Sequence, residues 1–488
     1  MLTTYVNEIS EEDLLYPQSE QTSDIQLPPA INILLLATWI MICLIGFAVI
    51  FLGKYPIAGT MIIAVPTFFG MIIKPSFALC LFALVLPTSG GVGSGTEFEL
   101  GRGVGMALAI AFALNLIITR PRLNMRNKAL WIIMLFTLWI VFTSLLSPVP
   151  KLELVRAFSH FQLMLLVLIT YWILETNGEK AFIWVLRSYI IGSLGMIIIT
   201  FITGAAMQSM TDVATMEERY GATLGKVVDQ NMMAALIAMA FLAAIYLFAR
   251  DKNISWRVIY LIAIGFLPIM VIRTGSRSCS IALVFTLVSP LLFIRQVWRR
   301  PTLIILLLLV IILALGALAF FIRTESLSGR VHERLTNPEE ARQALSYRMS
   351  LNQAAIRIGF TKLTGTGQFR WFEEAGVRHH PHSDFFLALG FYGIPGAMLF
   401  TFFVIMMMLT VKRFPLGVEK LYARAILTFL LVMGLGINQL AYKYFWMFIA
   451  TIMVMERISW FHSSMPGYIA AQPGEGTNDV SYQLDTAI

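Results

Sequence analysis

Composition and apolar spacing point to an all-α, polytopic transmembrane bundle, and three observations carry that reading. Hydrophobic residues make up 58% of the 488-residue chain and charged residues only 13%, more apolar side chain than a soluble body of this size can cover. Apolar stretches recur at roughly the 20-residue length that crosses about 30 Å of hydrocarbon. The short loops between them alternate between basic and weakly basic, the pattern of a chain threaded back and forth through a bilayer. A β-barrel would show short alternating strands instead.

Each element follows from local sequence. Residues 1–30 hold six acids, no Lys or Arg, and no apolar run of the kind found in cleavable signal peptides. They read as a disordered cytoplasmic tail in which Ser10 and Asp13 have the spacing of a capping box. Residues 31–460 form the membrane domain, with clear apolar runs at 31–52, 129–146, 157–174, 181–203, 227–249, 302–322 and 384–411. Residues 57–88 and 425–460 hold shorter, closely joined segments. Four basic residues lie in 120–128, three in 250–257, three in 295–301 and four in 411–424, and these loops are placed in the cytoplasm. Counting crossings between them gives about 14 helices, with 12 the next count, and both termini inside. Residues 461–488 are rich in Gly, Pro and polar side chains and read as a second disordered cytoplasmic tail. The net charge of +8 belongs to the cytoplasmic loops of an inner-membrane protein and implies no nucleic-acid partner. Cys43, Cys80 and Cys279 match no zinc or redox spacing and read as small core residues.

One loop stands apart. Residues 323–383 face outward in this count and carry eight Arg, one Lys and four of the six His. Loops of about 60 residues translocate largely regardless of charge, and a long charged loop in so apolar a chain is where chemistry is expected. Within it Asn337 as N-cap, Pro338 at the first position, and Glu339 and Glu340 in the first turn predict a helix over about 338–358. Leu345, Arg348, Asn352 and Ile356 fall near one of its faces, and the helix is expected to lie along the membrane surface or cap the bundle. The glycines of "TGTGQ" (364–368) end it with tight turns.

Four outward pieces carry residues suited to chemistry. "HPHSDFFLALGFYGIPGAM" sets His382 and Ser383 ahead of Gly393 and Gly396. "ERYGATLGKVVDQN" contains Arg219 and ends at Asn231. "IRTGSRSCS" holds Arg273 and Arg277. "YRMSLNQ" holds Arg348. Taken singly, each has an ordinary explanation: an interfacial histidine, a Ser383 or Asp384 cap, glycines for close helix packing, and arginines that snorkel. All four pieces are assigned to one membrane face, and several guanidinium groups beside one imidazole make an anion site with a proton acceptor.

These pieces, in this order, resemble the family of O-antigen ligases and O-antigen polymerases. The ligase signature is a His followed by Asn, Ser or Gln, nine residues, Gly, two residues, Gly, and then Gly, Thr or Tyr. His382-Ser383 through Gly393 and Gly396 match it, and Ala397 departs at the last place. The Arg219 stretch is similar to the family's Arg–Gly–(Pro)Asn segment, with Asp229-Gln230-Asn231 in place of Pro-Asn, and "GSRS" (275–278) is similar to its Ser-Arg-Gly turn. The resemblance covers roughly residues 215–410. It implies a C-type membrane glycosyltransferase, working without cofactor or metal, that takes a glycan from undecaprenyl diphosphate at the periplasmic face. The acceptor would be another lipid-linked repeat or lipid A–core, with membrane lipids around it and a chain-length regulator as a further partner.

No DxD motif and no His, Cys or carboxylate cluster with metal-ligand spacing is present in the sequence, and Glu217/Glu218 and Glu373/Glu374 read as solvated acid pairs. Charge on the departing diphosphate would then fall to Arg219 and Arg348 first, to Arg277 next, and to Arg273 beside it. His382 would take the acceptor's proton, with His379 and His380 as helpers or bystanders, and direct attack would invert the anomeric centre. Apolar residues around 384–411 would hold the polyprenyl chain. Chain length and helix number favour a polymerase of O-antigen or exopolysaccharide, and the histidine signature favours a ligase. A flippase of lipid-linked sugars would place charges at midplane and show internal repeats, and neither is seen.

Overall fold

The computed structural model describes residues 28–51, 56–89, 100–120, 127–202, 222–223, 226–227, 229–293, 337–377, 379–415 and 417–464. Within them the chain is an all-helical bundle with one two-residue hairpin, Ala222–Thr223 against Lys226–Val227. The helices are α1 (Pro29–Phe51), α2 (Pro56–Ile73), α3 (Pro75–Val85), α4 (Leu100–Thr119), α5 (Lys128–Leu145), α6 (Pro150–Ile202), α7 (Gln230–Arg250), α8 (Ile254–Arg273) and α9 (Arg277–Phe293), followed by α10 (Pro338–Thr361), α11 (Trp371–Ala375), α12 (Asp384–Arg413), α13 (Val418–Gly436) and α14 (Lys443–Ser464). Among the described residues six helices are long and apolar enough to cross a membrane, and four apolar helices are shorter. The chain is a polytopic helical membrane protein. The runs 302–322 and most of 203–228, together with residues 1–27 and 465–488 of the two tails, lie outside the described residues; α1 begins within the first tail at Pro29 and α14 runs to Ser464 in the second.

Two long helices are interrupted. α6 turns out of helical geometry at Gly178 (φ 66°, ψ −155°), and α12 does so at Gly393 (φ 69°, ψ −169°). Each is therefore two helical segments in series, which is how 53 residues of α6 fit a bilayer that ~20 residues span.

α7 is the centre of the bundle. Met232 through Ala244 are all buried, as expected for a helix apolar on every side, and α6, α8, α9 and α13 pack around it. At the Arg250 end, the Arg250 guanidinium bridges Glu179 on α6 (2.6 Å) and Glu419 on α13 (2.9 Å). Beside it Arg187 of α6 pairs with Asp251 (2.5 Å) and lies between the rings of Trp184 and Trp256. The 21 residues of α7 hold this ionic lock about 30 Å from the other end of the helix, where the loops of the candidate site meet.

α10 begins as its sequence predicts: Asn337 Oδ1 accepts the Glu339 N–H at 2.9 Å. It packs on α12 through Leu351, Ala355 and Ile358, while Leu345 and Ile356 stay exposed. The packed face is thus rotated from the one that the Leu345–Ile356 spacing suggests, because the small Ala354 and Ala355 let the neighbouring helix approach.

Candidate active site

Five chain segments converge where α7 and α9 begin and α8 and α13 end. Asp229 caps α7, its Oδ1 accepting the Asn231 N–H at 2.9 Å. Asn231 in turn accepts the Ser276 hydroxyl at 2.8 Å, which ties the start of α7 to the α8–α9 turn. That turn places Arg273 at the end of α8 and Arg277 at the first position of α9. Arg277 reaches the Asn337 carbonyl at 3.5 Å, and Arg348 of α10 reaches the Ser278 hydroxyl at 3.4 Å. Both contacts are long for hydrogen bonds. α13 ends against the same pair: a Cβ on Gly436 would lie 2.9 Å from Ser278 Oγ and 3.7 Å from Arg348 Nη1.

The histidines come next. Trp371, fully buried, donates its indole N–H to the His379 carbonyl at 2.8 Å and anchors the segment. The His379 and His382 rings lie 6.5 Å apart, and His379 meets Tyr347 of α10 at 5.7 Å. His382 is half-buried. Burial first, then the charges of Arg348 and His379, hold its pKa below the usual imidazole range, and Asp229 opposes them. A neutral imidazole beside a guanidinium can accept a proton. His380 differs: it is wedged between Phe372 (4.5 Å) and Phe391 (5.2 Å). Burial, reinforced by Arg156, His382 and His379, lowers its pKa to about 4.

The motif glycines have a geometric origin. The positive φ at Gly393 releases the last carbonyls of the segment 384–392, and each finds a donor. Thr366 N–H donates to Gly390 (3.1 Å) and Gly367 N–H to Phe391 (3.0 Å). The Trp139 indole of α5 donates to Tyr392 (2.8 Å). The "TGTGQ" turn therefore plugs the helix break, and a Cβ on Gly393 would fall 1.9 Å from the Leu363 carbonyl oxygen. Gly396 allows the next turn to lie on Tyr392. The turn is held from behind by Glu153 of α6, a buried carboxylate that accepts the Phe369 N–H at 2.8 Å.

Ser383 occupies the N-cap position of α12 without a side-chain capping bond. Its neighbour Asp384 takes the structural role: buried, it accepts the N–H groups of Gln439 (2.6 Å) and Leu440 (3.1 Å), so the α13–α14 loop is pulled against the site. From Ser383 and Asp384 an apolar cavity of about 280 Å³ runs between α12, α13 and α14, lined by Phe400, Met407, Leu430 and Ile449 among others.

Arg348, Arg277, His382 and Ser383 are thus brought to one region, with Arg273 at the adjoining helix end. Arg219 lies outside the described residues. Sequence reading offered Asp384 as a cap of α12 and missed that it clasps the loop at Gln439 and Leu440 instead, and it missed Glu153 and Gln439. Asp384 and Glu153 carry the one available signal, an acid at the start of an apolar helix, where a buried charge needs a stated partner.

The fold and this constellation define a membrane-embedded helical protein with guanidinium groups and a proton acceptor above an apolar cavity. A family model described as O-antigen ligase matches residues 261–401. The match contains Arg273, Arg277, Arg348, His382, Gly393 and Gly396, and places the chain among membrane enzymes of the O-antigen ligase or polymerase type. No curated protein matches the chain.

Proposed function

We propose that this chain is an inverting, metal-independent glycosyltransferase that extends lipid-linked O-antigen or exopolysaccharide repeats at the outer face of a bacterial inner membrane, with both termini in the cytoplasm. The observation that carries the reading is the meeting of Arg348, Arg277 and the neutral His382 in one region, with an apolar cavity that begins at Ser383, the residue next to His382. A diphosphate linked to a polyprenyl chain has the matching form, two anionic groups on a long apolar tail. The cavity takes a segment of the tail beneath Ser383 and Asp384.

In the reaction an acceptor sugar hydroxyl attacks the anomeric carbon of the donor. The new C–O bond forms as the bond to the lipid diphosphate breaks, and the electron pair leaves on a phosphate oxygen. Arg348, Arg277 and Arg219 neutralise that oxygen, with Arg273 contributing field at the helix end; forks suit phosphate better than point charges. His382 accepts the hydroxyl proton.

The length of the chain and its number of helices support a polymerase. The histidine signature and the family description support the second reading, transfer of the finished glycan to lipid A–core. A chain-length regulator is a natural partner of the first activity only. Purified protein in lipid nanodiscs, given undecaprenyl-diphosphate glycan with and without lipid A–core, separates them. A ladder of lengthening lipid-linked glycan without lipid A–core is the polymerase result, and a single transfer that needs lipid A–core is the ligase result. No glycan transfer in either mixture would sink both.

A further inference from the structure

α10 is apolar on two faces. One face, Leu351, Ala355 and Ile358, is buried against α12. The other is formed by Leu345, Met349, Ile356, Phe360 and, just past the helix end, Leu363, at steps of four, seven, four and three residues, the spacing of a single stripe. At 3.6 residues per turn this stripe lies nearly opposite the packed face. All five side chains are exposed, Phe360 by 71% and Leu363 by 67%, so they do not serve the bundle core. Ser350 and Gln353, also exposed, form a separate polar strip between the two faces. The cations near the stripe turn toward α11: Lys362 pairs with Glu374, and Arg357 reaches the Ala375 carbonyl at 3.5 Å.

Contacts on the packed side fix the depth of the stripe. A Cβ on Gly393 would fall 1.9 Å from the Leu363 carbonyl oxygen, and one on Gly359 would fall 2.5 Å from the Leu389 side chain, so the end of α10 lies against the break in α12. Tyr392, next to that break, is gripped by α5. Trp139 donates to its carbonyl at 2.8 Å, and its ring meets Phe136 at 5.9 Å. α5 crosses the membrane in 18 residues, about 27 Å against about 30 Å of hydrocarbon. Phe136 and Trp139 are the ninth and twelfth of those residues. The break in α12 is therefore inside the apolar layer, and the end of α10 is inside it too. The stripe continues the exposed apolar surface of α12 at Met398 and Phe402.

We propose that the end of α10 and the turn after it form a re-entrant segment, and that Ile356, Phe360 and Leu363 dock on the acyl chains of the surrounding lipid leaflet. Non-helical backbone is tolerated at such depth where protein encloses it. The 364–368 turn meets that condition, because the Thr366 and Gly367 N–H groups are taken by the Gly390 and Phe391 carbonyls. An amphipathic helix seated in this way is held by its buried apolar area. The inference is independent of the reaction proposed above, since it uses only packing and membrane thickness.

Two measurements test it. The first uses the unaltered chain in phosphatidylcholine nanodiscs that contain a phosphatidylcholine with a diazirine on its acyl chain. After illumination, peptide mass spectrometry should find lipid adducts on Phe360 and Leu363, as on Met398 and Phe402, and none on Ser350 or Gln353. No substitution is involved, so misfolding cannot imitate a negative result. Adducts on α12 with none on Phe360 or Leu363 overturn the proposal. The second uses single nitroxide labels at positions 350, 360, 363 and 402 of a chain whose Cys43, Cys80 and Cys279 are replaced. The ratio of oxygen to nickel-chelate collision at 360 and 363 should match that at 402 and exceed that at 350 several-fold. A nickel-accessible label at 360 would put the stripe in water. A label shielded from both reagents would put protein over it, such as a second copy of the chain. Either result overturns the proposal.

Discussion

On the proposed function, the side chains of the site divide into those that would meet substrate and those that hold the backbone around it, and substitution separates the two. His382→Ala should lower transfer by about 10²–10⁴-fold, the scale of a lost general base, with the protein still inserted at normal level. The measurement is single-turnover transfer by protein quantified in the membrane. Near-normal transfer would leave the proton to the substrate or an arginine. Arg348→Ala should weaken donor use, and Arg348→Lys should restore only part of it, because an ammonium cannot fork across two phosphate oxygens. His380→Ala should cost folding more than chemistry, since its ring fills the gap between Phe372 and Phe391. Asp384→Ala leaves the Gln439 and Leu440 N–H groups enclosed without an acceptor, at about 1–3 kcal/mol each. A thermal midpoint well below wild type is the expected reading, and an unchanged midpoint would mean that water replaces the carboxylate.

At the scale of the element, the break in α12 explains why the signature contains glycine at all. Gly393→Ala combines a positive φ in a region essentially reserved for glycine, costing about 1–3 kcal/mol, with a clash against the Leu363 carbonyl, so the "TGTGQ" turn must move and take the Phe369 anchor with it. Loss of transfer greater than loss of stability is the expected outcome, read by activity against melting temperature in detergent. Much of this was legible beforehand. The Asn337 cap, the tight turn at 364–368 and the grouping of Arg277, Arg348 and His382 followed from capping chemistry, glycine and membrane sidedness. The packed face of α10 was not, because two adjacent alanines offered no contrast to the apolar Leu345 and Ile356 around them. Neither was Glu153, whose partner is a backbone N–H at Phe369, more than two hundred residues away in sequence. Periodicity records which residues are apolar, and it does not record where a distant turn delivers an unpaired donor.

For the molecule as a whole, the ionic lock around Arg250 and the site around His382 occupy opposite ends of α7. Arg250→Ala strands Glu179 and Glu419 and should cost about 3 kcal/mol, while transfer per folded molecule stays normal; a fall in both together would couple the two ends. Sidedness is tested with single cysteines in a chain whose Cys43, Cys80 and Cys279 are replaced. A cysteine at Glu373 should react with an impermeant thiol reagent in cells with a permeabilised outer membrane, and one at Lys252 should not. The reverse pattern would turn the site toward the cytoplasm. The clasp between Asp384 and the loop at Gln439 and Leu440 has a consequence in time as well as in space. A chain emerging from the ribosome has made every residue of the histidine signature long before α14 exists, yet the loop that closes the site is tethered by α14. During synthesis the enzyme therefore passes through a stage in which its motif is complete and inserted but its chemistry is not. On the proposed reading, competence arrives only once α14 has been made, so a half-built chain does not spend its donor.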